Sequence, residues 1–331
     1  MPSKTSFCNG TEFRKCLSRW WPLWVIYGVI LFIMLPGVLL NARSTIPYVS
    51  TEQISYLSNV ILSETQMLLP LTAFCAGLLA AAAMFGYLYT PRGAGLAASL
   101  PIRRGCMFRT HLLAGLVMLL SAEAVIFGLA VLIEATRFGL VIEPLLIWLG
   151  ILALETVVFY GIAVLCAISV AGRAAFFMLP QFKPVMAMTI ISGVALGGES
   201  GFLVGALSML VSNMLFSQGV WTPWQMLCMG IIGFLAGVLF RKGLLRRIRG
   251  SLCTFGAFCA IVIYGGIMNP ASVLMWANAD TLTWKTVLTY YVTGFPMDCV
   301  QASATVFFLL IAAEPMLEKL DRIKLKYGLM E

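Results

Sequence analysis

Long apolar runs alternate along the chain with short polar breaks. A bilayer demands roughly 17–25 apolar residues per helical span. Runs near that length occur at about 20–40, 66–90, 110–133, 145–171, 184–198, 200–217, 222–240, 251–268 and 287–313. These predict nine apolar helices and an all-α, polytopic membrane fold. The run 184–198 is short and glycine-rich, which suits a helix buried among others better than one facing lipid.

Small residues recur at helical spacing inside these runs. Gly193 and Gly197, Gly201 and Gly205, and Gly233 and Gly237 are each four apart, so backbones can approach closely. Ala163, Ala167 and Ala171 form a ridge at i, i+4, i+8. Internal packing explains such a ridge as well as docking on another membrane subunit does. Thr222-Pro223 reads as a helix start, with Thr as N-cap and Pro at the first helical position. Trp221 and Trp224 flank it, as at a membrane–water interface. Pro180 and Pro184 bracket a short loop, and 269–286 reads as a polar break.

Composition sharpens the picture. The chain has 331 residues, 60% of them hydrophobic. Only 11% are charged, against roughly 25% in soluble domains. A soluble enzyme, a disordered chain and a disulfide scaffold are excluded on that basis. The net charge of +8 comes largely from four clusters beside apolar runs. These are Lys4, Arg14, Lys15 and Arg19; Arg92, Arg103, Arg104 and Arg109; Arg241, Lys242, Arg246, Arg247 and Arg249; and Lys319, Arg322, Lys324 and Lys326. That is the positive-inside pattern of membrane topology, not a nucleic-acid surface. The nine cysteines include no C-x-x-C pair and mostly sit inside apolar runs, as small hydrophobes do. The first apolar run has membrane length and no cleavage pattern after it, so it reads as a retained anchor.

The residues of catalytic and cofactor chemistry are missing. His111 is the one histidine, and no H-E-x-x-H, G-x-S-x-G or phosphate-binding G-x-x-x-x-G-K-[ST] occurs. No catalytic residue, metal site or cofactor is predicted, and ATP would have to be bound by another subunit. The candidates that remain are polar residues inside apolar runs, each costing a few kcal/mol in lipid. Asp298 and Gln301 lie three apart on one helix face, either satisfying each other or neighbouring groups, or flooring a ligand pocket. Glu123 and Glu155 stand alone in their runs, with no basic partner for an ion relay.

The second half is denser in motifs. It carries AVLCAISVAGRAAFFMLPQFKPV (163–185), SGVALGGESGFLVGALSMLVSN (192–213), GVWTPWQM (219–226), GIIGFLAGVLF (230–240), GFPMDCVQASATVFFLL (294–310) and EKLDRIKLKYGL (318–329). In these it resembles the substrate-binding S components of energy-coupling factor (ECF) transporters over about 150–331, with the six hydrophobic segments of that family. The resemblance implies a six-helix bundle that captures a vitamin-like micronutrient outside the cell. It implies as partners a transmembrane coupling subunit and two ABC ATPase subunits, in the bacterial cytoplasmic membrane. Ala163, Ala167 and Ala171 match the family's alanine motif, which docks the coupling subunit. By the same analogy Phe176, Phe177, Gln181 and Lys183 contribute a lid, and Trp221, Trp224, Gln225, Asn269, Asp298 and Gln301 a pocket wall. Close relatives carry His-Ala where this chain has Gln301-Ala302. Cobalamin or a related corrinoid is the preferred substrate, because an aromatic pocket suits a large amphipathic ligand; riboflavin or another vitamin meets the same argument.

The first half differs. RWWPLWVIYGVILFIMLP (19–36) and YLYTPRGAGLAASLPIRRGCMFRTHLLAGL (87–116) resemble the front of a type-two ABC permease. The chain thus reads as two modules, a truncated permease-like one over 1–149 and an S-component-like one over 150–331. Two rival functions follow: an exporter permease subunit with its own ATPase, and an intramembrane enzyme, which the missing motifs disfavour. Five predicted spans separate the second basic cluster from the third, and an odd number cannot join two sites on one side. Either one module is inverted, or one segment fails to span. The expectation is that 110–133 or the first part of 145–171 is re-entrant or interfacial, burdened by Glu123 and Glu155.

Overall fold

The computed structural model describes residues 8–42, 51–88, 95, 99–100, 102–137, 142–276 and 283–326. Lys4, Arg92, Pro101, Asp280 and the closing 327–329 lie outside the described residues. The described elements are helical. They are α1 (Gly10–Met34), α2 (Pro36–Ala42), α3 (Thr51–Phe85), α4 (Arg104–Arg137), α5 (Ile142–Ala175), α6 (Val185–Leu196), α7 (Gly198–Phe216), α8 (Thr222–Arg241), α9 (Arg249–Phe258), a π-helical stretch (Cys259–Tyr264), α10 (Gly265–Trp276) and α11 (Trp284–Lys326). Among the described residues, eight helical segments are long and apolar enough to cross a membrane. Side chains such as Ile33, Leu132 and Val292 stand exposed along them, as lipid-facing positions do. This is a multi-pass, all-α membrane protein.

The chain divides into two compact units, 1–164 and 165–331. In the first, Asn9 caps α1 by accepting from the backbone N–H of Thr11 and Glu12. Pro36 has no N–H to continue the helix, so α1 stops and α2 begins. The run 20–40 is therefore two helices. Helices α1 and α4 run side by side in one direction: the Asn9 N–H donates to Thr110 Oγ1 at 3.0 Å, and Trp24 Nε1 to Ser121 Oγ at 3.0 Å. The basic residues that begin both helices share one end of this unit, as two intervening spans require.

In the second unit, α6, α7 and α8 meet through glycine. A Cβ on Gly193 would strike the Gly233 carbonyl, and one on Gly233 would strike that of Gly201. Their shared core includes Ile190, Ile191, Val194, Met229, Ile232 and Ala236. Helix α6 has 12 residues and rises only about 18 Å, against the roughly 30 Å of a bilayer core. Arg241 and Arg247 donate to the carbonyls of Leu196 and Val194 at its C-terminal end, where cations are favoured. Arg249 pairs with Glu314, and Arg247 with Asp321. The third basic cluster and α11 thereby share an end.

Two expectations change. The stretch 269–276 is helix rather than polar break. Pro270 cannot donate to the Gly266 carbonyl four residues back, and the Tyr291 hydroxyl donates there instead at 2.9 Å. Neither 110–133 nor the start of 145–171 is interrupted: α4 and α5 are continuous helices of 34 residues each. Glu123 is partly satisfied, although its Oε2, like that of Glu155, is buried without a partner among the described residues. Its Oε1 accepts from Tyr27 Oη at 2.9 Å and Thr156 Oγ1 at 2.6 Å.

Candidate substrate site

Polar side chains gather in one layer of the second unit, at the end of α7 away from the basic cluster. Arg173 is in the last turn of α5, where the helix dipole favours a cation. Its Nη1 donates to Ser212 Oγ at 2.6 Å and to Asn213 Oδ1 at 2.8 Å. Both acceptors belong to the last turns of α7 and are fully buried. The Asn213 amide passes the network on. Its Nδ2 donates to Thr222 Oγ1 at 3.0 Å and to Gln225 Oε1 at 2.9 Å. Gln225 Nε2 reaches Tyr264 Oη at 3.5 Å.

Thr222 is not the N-cap of α8. That place falls to Trp221, because the Thr222 hydroxyl is used to bridge Asn213 and Gln218 Oε1 at 2.9 Å. Tyr264 ends the π-helical stretch. One wide turn of this kind shifts every later side chain around the helix, and such turns gather at functional sites. Tyr264 stands within electrostatic reach of both Arg173 and Asp298.

Asp298 closes the layer from α11. Its Oδ2 accepts from Asn269 Nδ2 at 3.0 Å. Two glycines make room: a Cβ on Gly265 would come 2.5 Å from Asp298 Oδ2, and one on Gly294 would strike Asn269 Oδ1. Asp298 and Gln301 are 8% and 6% exposed, so the pair faces inward, and Asp298 is satisfied from α10 rather than by Gln301.

The connection 176–184 lies beside this layer. Phe176 and Phe182 pack on Phe308 with ring centroids 5.1 Å and 5.6 Å away, and Phe177 meets Phe216 at 5.3 Å. Gln181 is exposed and takes a left-handed turn, φ 55°. Lys183 is half-buried. Burial and the neighbouring Arg173 charge lower its ammonium pKa below the usual lysine range.

The structure thus brings Gln225, Asn269 and Asp298 into one layer, with Lys183 at its edge and Gln301 buried one turn along α11. Phe176 and Phe177 serve aromatic contacts of the loop. Trp221 folds over Gly219, and Trp224 is half-buried; neither hydrogen-bonds to the layer. Ala163 and Ala167 are buried, and Ala171 is partly exposed. Sequence reasoning missed Arg173, Ser212, Asn213 and Tyr264. Arg173 and Asn213 lay within quoted motifs, and both are polar residues near the ends of apolar runs. Among the described residues, no three His, Cys, Asp or Glu side chains gather as metal ligands would.

Comparison with known proteins locates this unit. The family model described as ECF-type riboflavin transporter, S component, matches residues 152–320. The UPF0397 protein of Aliivibrio fischeri (strain MJ11) is 29% identical over 168 residues, covering 49% of this chain and 89% of that protein. The UPF0397 protein of Vibrio atlanticus (strain LGP32) is 26% identical over 157 residues, covering 45% and 83%. That of Aliivibrio salmonicida (strain LFI1238) is 29% identical over 168 residues, covering 49% and 89%. No solved structure matches the chain significantly.

Proposed function

The chain belongs to the ECF-type S-component family, and from that premise we propose that its second unit captures a vitamin-like micronutrient in the polar layer around Arg173, Asn213, Gln225 and Asp298. It is a component of a transporter rather than an enzyme, and it works with a transmembrane coupling subunit and two ABC ATPases in the bacterial cell membrane. The observation that carries the substrate site is the layer itself. Charged and amide side chains from five helices converge inside an apolar bundle, where each costs a few kcal/mol unless it is used.

We take the Arg241–Arg249 end as cytoplasmic by the positive-inside rule. Since α4 and α5 are both continuous, the basic residues that begin α1 and α4 then face outside, and the first module is the inverted one. The layer then lies toward the outside, with 176–184 across it as a lid. Docking on the coupling subunit uses the ridge of Ala163, Ala167 and Ala171. Ala171 is the partly exposed member of the ridge, and Ala163 and Ala167 are buried. The permease-like first unit serves as an anchor. The family description names riboflavin; the corrinoid preference of the sequence reading gains no support from it.

Purification of the full chain from rich medium, followed by mass spectrometry and absorption of co-bound compounds, tests the reading. One micronutrient-sized compound, near one per chain, is expected. A chain that holds none and binds none when vitamins are supplied contradicts it.

A further inference from the structure

The guanidinium of Arg173 is partly buried at the end of α5, and its hydrogen bonds are lopsided. All those made by its side chain leave from Nη1, to Ser212, Asn213 and, at 3.9 Å, Met209 Sδ. These acceptors are neutral. The Nε and Nη2 donors have no protein acceptor among the described residues. A second cation, Lys183, stands near enough for the two charges to repel. Among the described residues neither forms an ion pair. The acid of the layer, Asp298, is held by Asn269 instead.

A guanidinium pinned through one nitrogen and open along its other edge presents a planar fork of donors. That fork matches the paired oxygens of a carboxylate or phosphate. Two partly buried cations without a counter-charge are stabilised when such a group arrives. We infer that the substrate carries an anionic group, a carboxylate or a phosphate, which binds the open edge of Arg173 and the ammonium of Lys183.

This rests on the substrate-binding reading of the same layer. It adds that Lys183, arriving from the loop, closes over the bound anion, so that ligand and lid are held by one contact. The amide and hydroxyl groups of Gln225, Asn269 and Tyr264 are left for the uncharged part of the molecule.

The test uses the full chain in nanodiscs. The co-purified compound is identified, and three acids are compared with their uncharged partners: riboflavin 5′-phosphate with riboflavin, biotin with its methyl ester, and pantothenate with pantothenol. The expected result is an anionic co-purified compound or a bound acid. Neutralising its acid group should weaken binding about tenfold or more, the scale of one charge-assisted hydrogen bond. Arg173→Gln should remove that preference, and Arg173→Lys should restore part of it. The comparison on the unaltered chain does not depend on how well either variant folds. An uncharged compound bound as tightly as its acid overturns the inference and leaves substrate binding standing. A chain that binds no compound from any source overturns both.

Discussion

Arg173 donates through Nη1 to Asn213 Oδ1 at 2.8 Å, and the same Asn213 amide donates onward to Thr222 and Gln225. One fully buried side chain thus joins α5, α7 and α8. Asn213→Leu fills a similar space and removes one partner each from Arg173, Thr222 and Gln225, which keep Ser212, Gln218 and Tyr264. Each lost hydrogen bond costs about 0.5–1.5 kcal/mol, more for the one to the charged guanidinium. The variant should unfold several degrees lower in a fluorescence melt in detergent and lose bound ligand. An unchanged melt would mean that the amide is not the joint of the layer.

Helices α7 and α8 touch at Gly201 and Gly233. Gly233→Ala places a methyl group against the Gly201 carbonyl, and backbone cannot move aside as a flexible side chain can. A loss at the upper end of the about 1–3 kcal/mol seen for overpacking is expected. Gly250→Ala, with open space around it, should melt as the unaltered chain does. Equal melts for the two variants would count against the close crossing.

In the first unit, Glu123 Oε1 holds the hydroxyls of Tyr27 and Thr156. Glu123→Gln retains an acceptor oxygen of the same shape and should leave the melt within about 0.5 kcal/mol. Glu123→Ala leaves both hydroxyls buried without that acceptor, at about 1–3 kcal/mol each. Should Glu123→Gln prove as damaging as Glu123→Ala, the charge matters and not the hydrogen bonds.

Continuous helix between Ile142 and Ala175 spans about 51 Å, more than a bilayer's hydrocarbon core. Cysteines introduced by Arg137→Cys and Met178→Cys, with accessible native cysteines replaced, should label from opposite sides of the membrane. Labelling of both from one side would restore a re-entrant segment between them.

Much of this architecture was legible in sequence, because a bilayer makes length and hydropathy decisive. Among the described residues, the nine apolar runs became eight segments long and apolar enough to span, and the short α6. That helix was already marked by its glycines and its length. Asp298 stood out as an acid in an apolar run. Its partner Asn269 did not, because 269–286 read as a break; a proline helix repaired by the Tyr291 hydroxyl has no local signature. Arg173 was hidden differently. At the end of an apolar run, a cation is easily credited to topology, and only the fold shows Ser212 and Asn213 arriving from α7. The π-helical stretch that positions Tyr264 has no sequence signal at all. Thr222 shows the limit of a capping rule, since tertiary partners claimed the hydroxyl that the rule assigned to the helix end.

The central claim is that the chain is the substrate-binding component of an uptake complex. Its most direct test is affinity purification from native membranes in mild detergent, with the co-purifying polypeptides identified. A transmembrane coupling subunit together with two ABC ATPases is predicted, and Ala171→Trp should deplete all three while leaving bound ligand in place. Recovery of a single homodimeric ATPase with no coupling subunit would contradict the account and favour an exporter.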